Sequence, residues 1–246
     1  MAFLANSNAG SALMTIRALK LIANVLSLKE SPRSLVYSVR NKINVWLGNG
    51  DRRFVFEKLY LERGDIWNYE TSDYERTKYR QTMDRIVALR SGSASVLEVG
   101  CSIGVFTELL AAQFEQVTAT DISQEALGLA ARRHSRPNIR FVRSDIRELP
   151  ATSRYDVIVC AEILYHIPEG DVTRVVGKLA NLLSDQGIVV AVFGFTDSTE
   201  ARYFDGWNDA LTERFERLAL DHFEHPSRPY RIAAFAIDRA RDQPHG

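Results

Sequence analysis

Two glycines and three carboxylates mark the part of the sequence that is best suited to chemistry. Gly100 and Gly104 stand at the ends of the run Gly-Cys-Ser-Ile-Gly, directly after a short apolar stretch. Glycine lets a backbone turn tightly and approach a ligand, and a helix that begins at such a turn points its N–H groups at that ligand. Glu98 precedes the turn, while Asp121 and Asp145 follow two later apolar runs. The pattern predicts a ligand site made of one backbone turn and several carboxylates.

The residue types at this turn argue against a dinucleotide and favour a cationic nucleoside. A dinucleotide-binding turn of the form Gly-x-Gly-x-x-Gly/Ala needs glycine where this chain has Ser102, and glycine or alanine where it has Val105. Glu98 would repel a pyrophosphate, but it suits the positive charge and the amino group of S-adenosylmethionine (SAM). Asp121 is placed to accept hydrogen bonds from two ribose hydroxyls, although an acid after a strand also serves as a helix N-cap.

The remaining predicted contacts are with the adenine ring. Asp145 is expected to accept a hydrogen bond from the adenine amino group, while Ile122 and Ile146 enclose the ring. The predicted cofactor-binding residues of the turn and the strand ends are Glu98, Gly100, Cys101, Ser102, Gly104, Asp121, Ile122, Ser144, Asp145, Ile146 and Ala161.

Short runs rich in valine and isoleucine alternate with helical patterns through the region that must position these residues. The predicted strands are Val96–Val99, Val117–Thr120, Ile139–Val142, Tyr155–Cys160 and Gly187–Phe193. The predicted helices are Gln81–Leu89, Val105–Phe114, Gln124–Arg133, Val172–Leu183 and Trp207–Phe215. This alternation predicts an α/β fold with a parallel sheet and helices on both faces. The final apolar runs, Leu218–Phe223 and Ile232–Ile237, predict a hairpin that closes the sheet edge.

Residues 1–53 differ in charge from the rest of the chain. They hold eight lysines and arginines against two acids, whereas the whole chain has 31 basic and 31 acidic residues. Apolar residues between Leu13 and Leu28 predict a helix that ends near Pro32, and Gly48–Asp51 predicts a turn. We therefore expect an N-terminal helical extension, 1–53, before a main domain, 54–246. The extension is either a cap on that domain or a basic surface that touches an anionic membrane or the substrate.

Composition narrows the expected partners and compartment. A net charge of +0 provides no overall field that would attract nucleic acid. Cys101 and Cys160 both lie in apolar runs, so a disulfide framework is not expected, which suits a reducing compartment. The sequence shows neither a spanning apolar run nor a secretory leader, which indicates the cytoplasm, with peripheral contact at the inner face of the membrane as an option for 1–53. The five histidines show no metal-ligand spacing, and no metal is expected.

Four motifs together resemble the class I SAM-dependent methyltransferases. They are Glu98-Val-Gly-Cys-Ser-Ile-Gly104, Asp121-Ile122, Ser144-Asp145-Ile146 and Ala161-Glu-Ile-Leu-Tyr-His166. The resemblance implies a Rossmann-like, seven-stranded, mostly parallel sheet of order 3-2-1-4-5-7-6. It also implies an enzyme that uses SAM as methyl donor and releases S-adenosylhomocysteine (SAH), without a metal.

A narrower resemblance is to the NodS branch, the nodulation N-methyltransferases that act on the amino group of a chito-oligosaccharide. The motifs that carry it are Asp65-Ile-Trp67, Tyr74-Glu75 with Lys78-Tyr79, and Ala161-Glu-Ile-Leu-Tyr165. It implies methyl transfer to an amine of a small molecule or saccharide. This family covers the methionine end of the cofactor with a lid before its first helix, which suggests that role for Trp67 and Tyr74; plain packing is the alternative.

The candidates for the transfer step lie where the fourth predicted strand ends. Transfer of a methyl group from a sulfonium needs no proton on the leaving group, so the enzyme's main task is to align the nucleophile and exclude water. His166 is a candidate base, or else a helix-start histidine bonded to backbone. Tyr165 is expected to wall the methyl channel, and Glu162 either contacts the substrate or sits at the turn.

Several other functions are compatible with parts of this pattern. The same cofactor cradle would serve an O-methyltransferase of a sugar, glycolipid or natural-product hydroxyl. A non-catalytic SAM-binding or scaffolding protein would keep the same acids. An NAD-dependent dehydrogenase is disfavoured by Ser102 and Val105. A nucleic-acid methyltransferase is disfavoured because the fourth strand is followed by Glu-Ile-Leu and not by an Asn/Asp-Pro-Pro-aromatic motif.

Overall fold

The computed structural model describes residues 52–90, 94–134, 136–195 and 198–237. The chain divides after Val55 into two units, and the account below concerns the second, Phe56–Gly246. The predicted N-terminal helix, the predicted turn Gly48–Asp51 and the turn at Ser91–Ser93 lie outside the described residues.

Seven strands form one sheet. They are β1 (Ser95–Val99), β2 (Gln116–Asp121), β3 (Ile139–Arg143), β4 (Tyr155–Ala161), β5 (Leu183–Gly194), β6 (Phe215–Phe223) and β7 (Tyr230–Ile237). Their order is β3-β2-β1-β4-β5-β7-β6, which confirms the order that the family resemblance implied. The first five strands pair in parallel, whereas β7 is antiparallel to both β5 and β6. The carboxyl ends of β1 to β5 therefore meet at one edge, where the predicted site residues follow the strands.

Six helices surround the sheet within the described ranges. They are α1 (Arg53–Arg63), α2 (Asp73–Leu89), α3 (Val105–Gln113), α4 (Gln124–Arg133), α5 (Val172–Leu182) and α6 (Ser198–Arg214). Two short 3₁₀ turns, Leu164–His166 and Glu169–Asp171, stand between β4 and α5.

The core lies on both faces of the sheet, because successive strand residues point to opposite sides. Leu97 and Ile158 pack with residues of α5 and α6 in one buried cluster. Val96 and Val157, their immediate neighbours in sequence, pack with residues of α2 and α3 in another. Strands buried on both faces explain why the sequence shows continuous apolar runs and not an alternating pattern.

Two helices and one strand begin earlier than predicted. Helix α2 starts at Asp73 and not at Gln81, because the Ser72 hydroxyl accepts a hydrogen bond from the Glu75 N–H and caps the helix. Helix α6 starts at Ser198 and not at Trp207. Strand β5 reaches back to Leu183, and Gly187 stands against Leu183 and the carbonyl of Tyr155. The first halves of these elements are mostly polar, so the spacing of apolar residues could not be used to predict where they begin. In the part of the chain that the structure describes, no helix is long and apolar enough to cross a membrane.

Candidate functional site

The turn between β1 and α3 is held by backbone bonds and needs its two glycines. The N–H groups of Gly100 and Cys101 both donate to the Thr120 carbonyl, at 2.8 and 2.9 Å. Gly100 and Gly104 have φ angles of 78° and 81°, in the left-handed region that glycine adopts without steric cost. A Cβ at Gly100 would lie 2.9 Å from the side chain of Ile163, so this loop packs directly against the segment after β4.

Ser102, at the middle of the turn, is tied to a helix that the sequence did not connect with it. Its φ is 53°, unusual for a residue with a side chain. The Ser102 hydroxyl accepts a hydrogen bond of 2.7 Å from Tyr60 on α1, and its N–H donates to Asp121 at 2.9 Å. These two bonds hold the serine where a glycine is commoner. Tyr60 is thus a site residue that the sequence analysis missed.

Asp121 ends β2 and faces the turn across the sheet edge. Its two carboxylate oxygens accept from the N–H groups of Ser102 and Ser123, both at 2.9 Å. Burial raises its pKa to about 6. The N-cap of α4 is Ser123 and not Asp121, since the Ser123 hydroxyl accepts from Ala126. The residue is therefore not needed as a cap, and a carboxylate accepts further bonds on its remaining lone pairs.

Glu98 lies beneath the turn and is 4% exposed. The Thr107 hydroxyl donates to its carboxylate at 2.6 Å. Burial nevertheless raises the Glu98 pKa to about 8. A buried carboxyl that is costly to ionise is suited to a ligand that brings its own positive charge. The turn and its acids therefore fit SAM, whose sulfonium and amino group are both cationic, and they do not fit a pyrophosphate.

Asp145, the third acid, has a strong protein partner. Its carboxylate accepts from the backbone N–H of Arg147 at 2.9 Å and from the Arg147 guanidinium at 3.0 and 2.6 Å. Asp171 holds the other side of that guanidinium at 2.8 Å. The predicted bond from the adenine amino group to Asp145 must therefore be made on a carboxylate already held by an arginine.

The other predicted cofactor residues lie close to these acids. The Ser144 N–H donates to the Asp121 carbonyl at 3.0 Å, which joins the ends of β2 and β3. Ile146 is buried in the core, whereas Ile122 is half-buried beside Asp121. Ala161 is the last residue of β4, and burial raises the Cys101 pKa well above its usual range, so that this thiol stays neutral.

A buried ion-pair network is centred on Glu162, the residue that follows β4. Lys78, which is 1% exposed, places its ammonium 2.6 Å from Glu162 Oε1. Arg228 donates to the same oxygen at 3.0 Å. The other oxygen, Oε2, accepts from the Tyr165 hydroxyl at 2.9 Å and from the Gly194 N–H at 3.1 Å. The two cations hold the Glu162 pKa below its ordinary value despite burial.

Glu162 reaches this position through an unusual backbone conformation. Its φ is 57°, in the left-handed region. A non-glycine residue is kept there only when its surroundings hold it. Its carboxylate donates nothing and already accepts four hydrogen bonds, so it is poorly placed to act as a proton acceptor.

The remaining candidates are divided between the network and an aromatic group. The Arg228 guanidinium donates to the Tyr74 hydroxyl at 3.1 Å, so Tyr74 belongs to the network. Trp67 is 41% exposed and contacts Tyr60, with ring centroids 5.8 Å apart. The His166 ring packs edge-on against Tyr165 at 4.5 Å. The predicted lid roles of Trp67 and Tyr74 and the predicted base remain predictions.

Three network residues were not proposed as site residues from the sequence. They are Glu75, Lys78 and Arg228; the first two stood only inside a family motif. Lys78 also contacts Glu75, at 3.0 Å, one helical turn earlier. Arg228 lies in the connection Pro-Ser-Arg-Pro between β6 and β7, and no pattern in this segment indicates that its side chain belongs to a site. Trp207 on α6 is buried in the core.

The strand order and the acid-flanked glycine turn define a class I SAM methyltransferase fold. Within that class, the family profile "Nodulation protein S (NodS)" matches residues 51–198, and the chain belongs to the NodS family. This confirms the narrower resemblance as well as the broader one.

Individual relatives agree with this placement. The chain is 34% identical over 135 residues to "Nodulation protein S" of Rhizobium tropici, a match that covers 53% of this chain and 55% of the relative. It is 36% identical over 121 residues to the protein of the same name from Bradyrhizobium diazoefficiens, covering 49% and 56%. The chain thus spans little more than half the length of these curated relatives.

A solved structure supports the fold. The crystal structure of "N-methyltransferase NodS from Bradyrhizobium japonicum WM9 in complex with S-adenosyl-l-homocysteine" superposes with a TM-score of 0.68 at 23% identity. The match covers 77% of this chain and 100% of that one. Magnesium protoporphyrin IX methyltransferase from Synechocystis PCC 6803, crystallised with bound SAM, superposes with a TM-score of 0.57 at 17% identity.

Proposed function

We propose that this protein is a SAM-dependent N-methyltransferase that methylates an amine of a small molecule or saccharide. The observation that carries the proposal is the buried carboxyl of Glu98 beneath a glycine turn, in a chain of the NodS family. Burial makes ionisation of the Glu98 carboxyl unfavourable, and a cationic nucleoside would supply the counter-charge that the ionised form needs. Among the described residues, no group of three or more His, Cys, Asp or Glu side chains is placed to hold a metal ion.

The cofactor, when bound, supplies an electrophilic methyl group on sulfur. Glu98 would hold the cationic end, and Asp121, already oriented by two backbone N–H groups, would accept from the ribose hydroxyls. Ile122 and Ile146 would enclose the adenine. The N–H groups at the start of α3 face the same side and help to orient the nucleoside.

The acceptor side of the pocket favours an amine. A neutral amine attacks with its own lone pair, so it needs orientation and a path for the proton afterwards, and not a strong base. Glu162 is saturated with hydrogen bonds and cannot serve as that base without losing a partner. Tyr165 and His166 are half-buried at the same edge, and we assign them the contact with the acceptor.

The resemblance to the NodS branch implies an aminosugar acceptor. The similar crystal structure is that of an N-methyltransferase, and the relatives are nodulation proteins. We therefore place a glucosamine oligosaccharide with a free amine first among the acceptors to be tried.

A matched pair of acceptors tests the reaction. The protein is incubated with SAM and either a glucosamine oligomer with free amines or the same oligomer fully N-acetylated, and methylation is followed by mass spectrometry. We expect methylation of the free amine only. Methylation of the acetylated oligomer would show that the methyl group is transferred to a hydroxyl oxygen. If neither oligomer is methylated, this class of acceptor is excluded.

Calorimetric titration tests the cofactor independently of any acceptor. SAM and SAH should bind, and NAD should not. Binding of NAD without the other two would overturn the proposal. Binding of SAH without turnover on any amine would instead leave a SAM-binding protein of another function.

We further propose that residues 54–246 form the methyltransferase domain of a cytoplasmic enzyme. Residues 1–53 form a helical extension that is either a cap on that domain or a surface that touches an anionic membrane or the substrate. The local excess of positive charge supports this assignment. Flotation with anionic liposomes, with and without residues 1–53, is the test; equal recovery of both forms would contradict the membrane role.

A further inference from the structure

The network around Glu162 joins four separate parts of the chain at the carboxyl ends of β4 and β5. Lys78 comes from α2, Glu162 follows β4, Gly194 ends β5, and Arg228 precedes β7. The side chain of Lys78 is 1% exposed and that of Glu162 is 10% exposed. Burying charges is unfavourable unless they are paired, so the arrangement costs stability compared with an apolar core. This loss of stability is expected where a buried ion-pair network holds a side chain in position for catalysis.

The network's effect is transmitted through one carboxylate. Both cations contact Oε1 of Glu162, at 2.6 and 3.0 Å, and thereby keep the carboxylate ionised. The opposite oxygen is then free to accept from Tyr165 at 2.9 Å. A protonated Glu162 would accept this bond less strongly, because hydrogen bonds to charged groups are the stronger ones.

This bond fixes which way the Tyr165 hydroxyl points. A phenol has one proton to donate, and here the proton is committed to Glu162. The lone pairs of the phenol oxygen therefore remain as acceptors for a donor arriving from the pocket. Burial and the neighbouring carboxylate raise the Tyr165 pKa far above its usual value, so the phenol stays neutral.

We propose that Lys78 and Arg228 are positioning residues for methyl transfer, which hold Glu162 so that the Tyr165 oxygen accepts an N–H of the acceptor amine. The inference rests on the proposed function. With one N–H held by Tyr165, the nitrogen lone pair is directed at the methyl carbon. The new N–C bond forms as the C–S bond breaks, the electron pair returns to sulfur, and the ammonium product loses its proton to water afterwards.

Arg228 gives the cleaner variant, because its side chain is 28% exposed and its loss leaves Lys78 to pair with Glu162. Arg228→Met, Tyr165→Phe and the double variant form a mutant cycle, and Arg228→Lys is the conservative rescue. Arg231→Met is the matched control. Arg231 is a neighbouring arginine, 27% exposed, that pairs with Asp205 and packs over Phe204.

Turnover with the free-amine oligosaccharide is measured alongside SAH affinity. Tyr165→Phe removes the acceptor oxygen and should lower kcat about tenfold, the loss expected for one hydrogen bond in the transition state, whereas Arg228→Met leaves Lys78 on Glu162 and should lower kcat several-fold. The double variant should lose no more than Tyr165→Phe alone, because both changes act on the same interaction. Arg228→Lys should recover most of kcat, Arg231→Met should match the wild type, and SAH affinity should change less than about twofold throughout.

A second measurement does not depend on turnover. With ¹³C-labelled tyrosine, the Cζ resonance of Tyr165, assigned by its loss in Tyr165→Phe, should shift in Arg228→Met and return in Arg228→Lys. An unchanged resonance, or additive losses in the cycle, would overturn the positioning role while the proposed function stands. A rise in KM for the acceptor without a fall in kcat would mean that Arg228 binds substrate itself. A wild type that binds SAH but methylates no amine would overturn the proposed function, and this role with it.

Discussion

Cofactor binding should depend steeply on pH through Glu98. In the protein without ligand, burial raises the pKa of this carboxyl to about 8. The cationic amino group that SAM and SAH share favours the ionised form of Glu98, so affinity for both should increase as pH rises through 8 and decrease below it. Replacing Glu98 with glutamine keeps the size of the side chain and removes its titration.

The expected magnitude follows from the fraction of Glu98 that is ionised. With a pKa of about 8, half of the molecules carry the carboxylate at pH 8 and about one in a hundred at pH 6. If the bound carboxylate stays ionised throughout, Kd should increase about 50-fold as pH falls from 8 to 6, or about 2 kcal/mol of binding free energy. Asp121, whose pKa is about 6, adds about a factor of two at the acidic end.

Calorimetric titration with SAH across pH 6–8 measures this dependence directly. Repeating it at pH 6.5 in buffers of different ionisation enthalpy should show close to one proton released per SAH bound. Glu98→Gln should bind weakly at every pH, with most of the slope removed. Asp221→Asn is the matched control: Asp221 on β6 pairs with Arg85 on α2, and its replacement should leave the slope unchanged. A change in Kd of less than about threefold for the wild type, or an equal slope in Glu98→Gln, would refute the reasoning.

Three further variants test the turn and its surroundings. Gly100→Ala should lower the free energy of unfolding, measured by urea titration, by about 1–3 kcal/mol, because alanine would be strained at this left-handed position and would contact Ile163 too closely. The control Gly170→Ala lies in open space and should be nearly neutral. Equal effects of the two variants would contradict this account. Tyr60→Phe removes the hydroxyl bound to Ser102 and should weaken SAH binding several-fold at a stability cost of about 1 kcal/mol; unchanged affinity would mean that the turn does not need this bond. If His166 is the base, its replacement by alanine should flatten the rate profile across pH 6–9, and a rate unchanged over that range would exclude the role.

Much of the sheet could be predicted because its strands carry their own signal. The runs that became β1, β2 and β4 are short, rich in valine and bounded by turns, so their bounds were found within one or two residues. The strand order needed the family resemblance, since local patterns do not show which strands are neighbours.

The acids of the cofactor pocket were predictable for the same reason. Glu98 and Asp121 lie at strand ends, and parallel strands bring their carboxyl ends to one edge. The partners that modify these acids were not foreseen: Arg147 on Asp145, and Tyr60 on the turn. Their bonds depend on side-chain directions that no local period encodes.

The network around Glu162 was the part of the site that could least be predicted from the sequence. Its members are 84 residues apart for Lys78 and Glu162 and 66 apart for Glu162 and Arg228. Glu162 was proposed as a substrate contact or a turn residue, and only the folded chain reveals that two cations hold it in a left-handed conformation. A sequence shows where charges stand, but not which of them will be buried together.

The separation between these residues also has a consequence for biosynthesis. The cofactor turn and both of its nearest acids lie within 24 residues of chain, Glu98 to Asp121. Arg228, by contrast, is synthesised 154 residues after its partner Tyr74. The nascent chain can therefore assemble its nucleoside cradle early, whereas Lys78 and Glu162 gain Arg228 as a partner only after the connection between β6 and β7 has been made. An incompletely translated chain would hold the methyl donor's cradle without an ordered acceptor site.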